Sequence, residues 1–246
     1  MDKYMPVNIR RVAQMEEADL VVMFIDGRLY HNLTLAGEIK QRGQDYAILQ
    51  IALGSTRNPN PLDWLPLWEG ARVVWGYYDL PLKDYYRAPL GADPEIFHPL
   101  NLEREYIICM TGNYNRKECL LECRKAAYRV KRSVFHVQGC TDEEVNQAYN
   151  RSDYINGLRR DDGFELPAAE GLIAGTRPIL FDNANYRHWY EGLALFIPED
   201  TPEQVSKSLA AIFRTGTWPV KDWEIAEARR RFDWAKIVGG FWERCQ

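Results

Sequence analysis

Several absences narrow what this chain can be. No window approaches the roughly eighteen consecutive apolar residues of a membrane-spanning helix, so no transmembrane segment is expected. The opening stretch "MDKYMPVNIRRVAQMEE" has no apolar core of the kind that secretory signals carry. There is no tandem repeat and no low-complexity tract. Lys and Arg total 31 against 35 Asp and Glu, a net charge of −4, so no overall basic excess points to nucleic acid, although local patches remain open. The five cysteines (Cys109, Cys119, Cys123, Cys140, Cys245) are odd in number and follow no export signal. They read as reduced thiols of a cytoplasmic protein. Cys119 and Cys123 fall one turn apart on an expected helix with only His136 near in sequence, too few ligands for a metal, so buried thiols are expected and no metal site.

Aromatics are plentiful: eight Trp and fourteen Tyr, many in "PLDWLPLWEGARVVWGYYDLPLKDYY". Such a stretch reads as core plus an aromatic domain interface; a stacking surface for sugars or bases is the sharper alternative. The length of 246 residues suits two small domains. Short apolar runs alternate with helical spacing almost throughout. "DLVVMFID" (19–26), "YAILQIAL" (46–53) and "ARVVWGYY" (71–78) are strands, with a helix in "LTLAGEIKQRG" (33–43) and a Pro- and Asn-rich loop in "STRNPNPLD". "APLGADPEIFHPL" (88–100) reads as a linker between domains.

The second half repeats the scheme: strand "EYIICMT", turn "GNYN", helix "RKECLLECRKAAYRV", strand "SVFHVQG", helix "TDEEVNQAYNRS" with a capping box from Thr141 to Glu144, and strand "DYING". A small-residue-rich helix, strands "RPILFD" and "LALFIP", and helix "TPEQVSKSLAAIF" with Pro202 in its first turn complete it. This alternation predicts an α/β fold: Rossmann-like domains with parallel sheets and helices on both faces. Ligands of such sheets bind at the carboxyl ends of the strands, which puts "GNYNRK", "NGLRRDDGF" and "FDNANYRHW" on one rim.

Within that rim, "DDGFELPAAEGLIAGTRPIL" (161–180) resembles the donor-site signature of GT-B glycosyltransferases, particularly the retaining enzymes of glycosyltransferase family 4. Their pattern is an acid, Gly-Phe-Gly-Leu-Pro, a Glu eight residues after the acid, then Ala-x-Gly-x-Pro-Val; here the acids are Asp162 and Glu170, with Pro167 and "GTRPIL" in place. Two positions depart from it: the first acid is Asp rather than Glu, and Glu165 stands where the family has its second Gly. "GADPEIFHP" is similar to the family's linker, "TGNYNRKECLLE" to a strand-end loop carrying a phosphate-binding Lys, and "RRFDWAKIVGGFWE" to its C-terminal helix. The ordered similarity runs over roughly 150 residues, more specific than a lone motif.

The resemblance implies two Rossmann-like domains with the first one shortened: 1–90 on the acceptor side, a linker at 91–100, and a donor-binding domain at 101–246 whose last helix returns to the first. It assigns Glu170 to the ribose diol, each charge-assisted hydrogen bond being worth on the order of 1.5–3 kcal/mol. Asp162 corresponds to the acid near the donor sugar. Arg116 and Lys117 are the phosphate candidates, beside Gly112 and Asn113; the family has an Arg where this chain has Asn113, and Arg159 and Arg160 can compensate. Gly163 and Phe164 belong to the Gly-rich turn whose N–H groups face a diphosphate, and Asn183, in "NANYR", to a loop meeting donor phosphate or sugar. On the acceptor side Asp26 and His31 follow a strand and can act as a base. Plainer readings stand beside these: Glu170 as a solvated helix residue, Arg159 and Arg160 as a solvated loop pair, Asp26 and His31 as an ordinary loop acid and a surface imidazole.

The function implied is transfer of a sugar from a nucleotide-diphosphate sugar to an unknown acceptor (glycan, small molecule, protein or modified DNA), with retention and with no cofactor or metal. The alternative is a nucleotide-sugar-binding module or half-enzyme that needs a partner chain. The short first half, expected to carry about three strands, would leave apolar surface for self-association or a partner.

Overall fold

The computed structural model describes residues 14–25, 29–50, 61–80, 82–112, 118–160 and 163–246, with isolated positions before residue 14; the side chains of Gln50 and Pro61 fall outside the description. Asp26, Asn113, Arg116, Lys117 and Asp162 therefore lie outside the described residues. The chain divides into two compact units, one formed by Met1–Pro89 with Trp234–Gln246 and the other by Leu90–Asp233.

In the first unit, strands β1 (Leu20–Ile25), β2 (Asp45–Gln50), β3 (Val74–Gly76) and β4 (Tyr85–Arg87) form a parallel sheet in the order β1-β2-β3-β4. Among the described residues there are four strands where the apolar runs suggest about three. β4 was missed because its three residues, Tyr-Tyr-Arg, lack an apolar run. Helix α1 (Leu29–Gln41) starts four residues before the expected Leu33, because Leu29, Asn32, Ala36 and Ile39 share its buried face at intervals of three and four. A 3-10 turn, Pro61–Trp64, leads into the short helix α2 (Leu65–Glu69).

The aromatic stretch goes inside. Trp64 and Trp75 are fully buried, and Trp68, Tyr77 and Tyr78 nearly so. Helix α9 (Trp234–Cys245) closes this core: the Trp75 ring lies 5.8 Å from Trp234 and 5.4 Å from Phe241, and its indole N–H donates to the Ala88 carbonyl at 3.1 Å. The Tyr86 hydroxyl donates to the Ile237 carbonyl at 2.9 Å, and Arg72 donates to the Cys245 carbonyl at 2.7 Å.

The second unit holds β5 (Tyr106–Met110), β6 (Val134–His136), β7 (Ser152–Gly157), β8 (Arg177–Phe181) and β9 (Leu195–Ile197) in one parallel sheet ordered β6-β5-β7-β8-β9. Helices α3 (Leu120–Arg129), α4 (Asp142–Asn150), α5 (Leu166–Ile173), α6 (Ala184–Tyr190), α7 (Pro202–Arg214) and α8 (Asp222–Arg231) connect and cover the strands. Both the α4 capping box and the Thr201 cap with Pro202 are present. Helix α3 begins at Leu120 rather than Arg116, since Cys119 adopts left-handed backbone with φ 52° and cannot continue a helix backwards. The C-terminal stretch read as one helix is two. The break falls at Phe232, fully buried, whose carbonyl accepts from the Ala92 N–H at 3.0 Å.

Helix α5 lies close against β7 because its contact face is Ala168, Ala169 and Gly171. A methyl group at Gly171 would run into the Ile155 side chain, so the helix that carries the motif is set down on the sheet by the absence of side chains. No helix among the described residues is long and apolar enough to cross a membrane.

Candidate functional site

The carboxyl ends of β5 and β7 and the N-terminus of α5 enclose a cavity of about 200 Å³, bordered by Thr111 and Gly112, Glu118, Asn156, Leu158 and Arg159, and the turn from Phe164 to Pro167. This is the rim on which parallel sheets of this kind bind ligands. The walls are held from behind. Gly112 takes φ 91°, and its carbonyl accepts from His136 Nε2 at 2.8 Å. The Glu118 carboxylate occupies the space that a side chain at residue 112 would need. Asn156 donates from Nδ2 to the Glu118 carbonyl at 2.9 Å, while its Oδ1 accepts from the Leu158 N–H at 3.2 Å. Gly112→Ala is expected to cost about 1–2 kcal/mol, from left-handed backbone strain, and to displace Glu118 from the wall. Urea denaturation checks the stability; an unchanged midpoint contradicts the strain.

Beneath the cavity a cluster of rings fixes the motif turn. Phe164 packs 5.6 Å from Tyr190 and 5.8 Å from Phe232, so its side chain serves the core. The Gly163 carbonyl accepts from Asn185 Nδ2 at 2.7 Å, and the Glu165 carbonyl accepts from the Tyr190 hydroxyl at 2.7 Å. Glu165 itself is only 8% exposed. One of its oxygens, Oε1, meets the Tyr186 hydroxyl at a long 3.4 Å. Burial pushes this carboxyl up to about 7; Arg159 and the Tyr186 hydroxyl pull it down, and Glu118 adds to the rise.

Glu170, one turn further along α5, is half-buried and does not border the cavity. Its Oε2 accepts from the Tyr149 hydroxyl on α4 at 2.9 Å. Burial pushes it up to about 7 as well; the Tyr149 hydroxyl lowers it, and Asp142 raises it. The plain reading of Glu170 as a solvated helix residue is therefore set aside by its burial and its partner.

Of the residues singled out in the sequence, the structure brings Gly112 and Phe164 to one cavity, with Gly163 next to Phe164 in the turn and Glu170 on α5, the helix that follows it. The side chain of Asn183 caps α6, accepting from the Tyr186 N–H at 2.8 Å. His31 is an exposed residue inside α1, the helix that follows β1 in the first unit. Arg159 borders the cavity, whereas Arg160 is half-buried 3.7 Å from Glu199 and over the Phe181 ring. The sequence reading did not find Glu118, Asn156 or Tyr149: each lies outside the motif and joins it only through the fold. Glu165 was visible as a departure from the pattern. Cys109, Cys119 and Cys123 are buried, and burial pushes the first two thiols up to about 12, which leaves them unreactive as nucleophiles.

With its two parallel sheets of four and five strands flanked by helices, the chain is structurally similar to GT-B glycosyltransferases over most of its length. No family model and no curated protein sequence matches it. Among solved structures, it is similar to the sucrose-phosphate synthase of Thermosynechococcus elongatus with a TM-score of 0.73 at 13% identity, covering 92% of this chain and 73% of that one. Its TM-score to Anabaena HepE in complex with UDP and glucose is 0.72 at 9% identity, covering 93% of this chain and 78% of HepE. TarM gives 0.63 at 9% identity, over 91% of this chain and 54% of TarM. At these identities the likeness is one of fold.

Proposed function

We propose that this chain is a glycosyltransferase that takes a sugar from a nucleotide-diphosphate sugar. The observation that carries the reading is the cavity at the N-terminus of α5, with Glu170 one turn beyond it, inside a fold like that of HepE, which has been solved with UDP-glucose. The cavity lies at the start of α5, where the positive end of the helix dipole favours an anion. In the reaction, the acceptor hydroxyl oxygen bonds to the anomeric carbon as the bond from that carbon to the phosphate oxygen breaks. The nucleoside diphosphate leaves, and one of its β-phosphate oxygens takes the acceptor proton, so the configuration is retained. Arg159, together with Arg116 and Lys117, neutralises the leaving diphosphate; no metal is required, and turnover is expected to persist in EDTA.

Glu170 holds the ribose diol. Glu170→Ala is expected to weaken nucleoside diphosphate binding ten- to a hundredfold, from one or two lost charge-assisted bonds. Titration calorimetry on the folded variant decides it, and unchanged affinity removes Glu170 from the site. A second reading, a module that binds nucleotide sugars without turnover, is favoured by the Glu118 carboxylate against Gly112, an acid on the rim where a phosphate would dock. Release of nucleoside diphosphate from a panel of donors separates the two.

A further inference from the structure

The outward face of α3 combines two features that a solvated helix does not need. The first is apolar: Leu121 and Tyr128 are 60% and 85% exposed, and Tyr128 is the most exposed large hydrophobic side chain among the described residues. The two lie two turns apart with exposed Lys125 between them, at intervals of four and three, so the three side chains share one stripe of the helix. The inward face already holds Leu120, Cys123, Ala126 and Ala127, so the core makes no use of this stripe.

The second feature is positive charge. From Leu120 to Arg132 every exposed charged residue is basic (Arg124, Lys125, Arg129, Lys131 and Arg132), while the single acid, Glu122, is buried. Helix α7 lies alongside: Arg129 donates to Ser206 Oγ at 2.9 Å and to the Glu203 carboxylate at 2.7 Å. This helix adds exposed Lys207 and Arg214 against its one acid, Glu203. Glu203 also lies 3.9 Å from Lys207, and Arg132 holds Asp153 at 3.0 Å. These acids leave most of the cations unbalanced, and the excess is gathered on one side of a chain whose net charge is −4.

We propose that the face formed by α3 and α7 docks on a lipid bilayer that carries anionic headgroups, with the basic side chains among the headgroups and Leu121 and Tyr128 at the boundary with the acyl chains. Charge complementarity accounts for the cations: each one close to an anionic membrane strengthens binding roughly fivefold, and salt screens the gain. The apolar pair separates a bilayer from a nucleic acid. A phosphate backbone is met by cations and hydrogen-bond donors, whereas an exposed leucine is stabilised where apolar surface leaves water. A phenol ring, apolar in body and polar at its tip, suits the level of the headgroups. A basic helix face with leucine and an aromatic ring is the composition that lies on such an interface without crossing it. The inference uses no residue of the cavity and stands apart from the donor reading.

The test is co-sedimentation of the full chain with vesicles of phosphatidylcholine alone and of phosphatidylcholine mixed equally with phosphatidylglycerol. The wild-type chain is expected to bind the anionic vesicles about tenfold or more the tighter, and less so as salt rises. Lys125→Glu combined with Lys131→Glu is expected to lower that affinity by about twentyfold or more. Leu121→Ser combined with Tyr128→Ser is expected to lower it by about fivefold or more. All four side chains are exposed, so both variants should fold, which thermal melting verifies. Lys83→Glu, at an exposed lysine of the first unit, is the control and should leave binding unchanged. Equal binding to both vesicles, or none, overturns the proposal, as does binding retained by the charge-reversed chain or an equal loss in Lys83→Glu. Unchanged binding in the apolar variant overturns it too, and equally tight binding to a DNA duplex would then name a nucleic acid as the occupant.

Discussion

Replacing Glu224 with alanine is expected to destabilise the second unit by about 3–5 kcal/mol, the usual cost of leaving a buried charge without its partner. Glu224 on α8 meets Arg177 at the start of β8 in a forked pair, at 2.6 Å and 2.8 Å, with both side chains less than a tenth exposed. Arg177 spends its remaining donors on the carbonyls of Leu193, Trp218 and Pro219, so all five of its N–H groups are used. Glu224 also accepts from the Lys221 N–H at 2.8 Å. Burial raises this carboxyl, but the Arg177 fork and the Lys221 N–H outweigh it, and the net result is a pKa held below the ordinary value. The pair therefore contributes stability above the unfolded pKa, lost as pH falls through the folded one. Chemical denaturation at pH 7 should show a lower midpoint for Glu224→Ala. Arg177→Met combined with Glu224→Leu should cost far less than Glu224→Ala, because it leaves no charge behind. Equal losses in the two would mean that packing, not the stranded guanidinium, carries the effect.

The second large effect concerns Glu165, and its sign is opposite. The folded carboxyl titrates near 7 against an ordinary value of 4.5. Between these two pH values the folded protein holds a proton that the unfolded chain has released, so stability falls as pH rises. The contribution is fully present below 4.5 and is gone above 7, a loss of about 3 kcal/mol for a group as buried as Glu165. Glutamine cannot titrate. The stability of Glu165→Gln relative to wild type should therefore grow by about 3 kcal/mol between pH 4.5 and pH 8, as read from urea midpoints. A difference that does not move with pH would show that Glu165 remains ionised when folded. Glu170, held by Tyr149, shifts in the same direction and adds to the fall of stability with rising pH in both proteins.

Both effects depend on partners the sequence does not place side by side. Arg177 and Glu224 are 47 residues apart, and nothing in "GTRPIL" or "WEIAEARRR" marks them as a pair. The α/β alternation was legible because buried parallel strands and amphipathic helices carry different periods, and those periods are local. Caps were legible for the same reason: Thr141 and Glu144 are three apart, and so are Thr201 and Gln204. The strands of the second sheet were readable from runs such as "YIICM" and "RPILF", whereas β4, three residues of Tyr-Tyr-Arg, was not.

For the site, the sequence by itself carried the resemblance from which the proposed chemistry follows. It placed Glu170 eight residues after Asp162 on a helix preceded by a Gly-rich turn, on the rim where the strands end. It also marked Glu165 as the position where this chain parts from the pattern it resembles. Only the tertiary structure decided which acids are buried, since burial is set by neighbours distant in the chain: Tyr149 on α4 covers Glu170, and Tyr186 and Tyr190 on α6 hold the turn at Glu165. It decided that Asn183 caps a helix and that His31 lies on an exposed helical face. It also brought Glu118 and Arg159 to the cavity of Glu165, because β5 and β7 are neighbours in the sheet although β6 separates them in the chain. A local pattern can state that an acid stands at the start of a helix, but the charge and exposure of that acid are properties of everything packed around it.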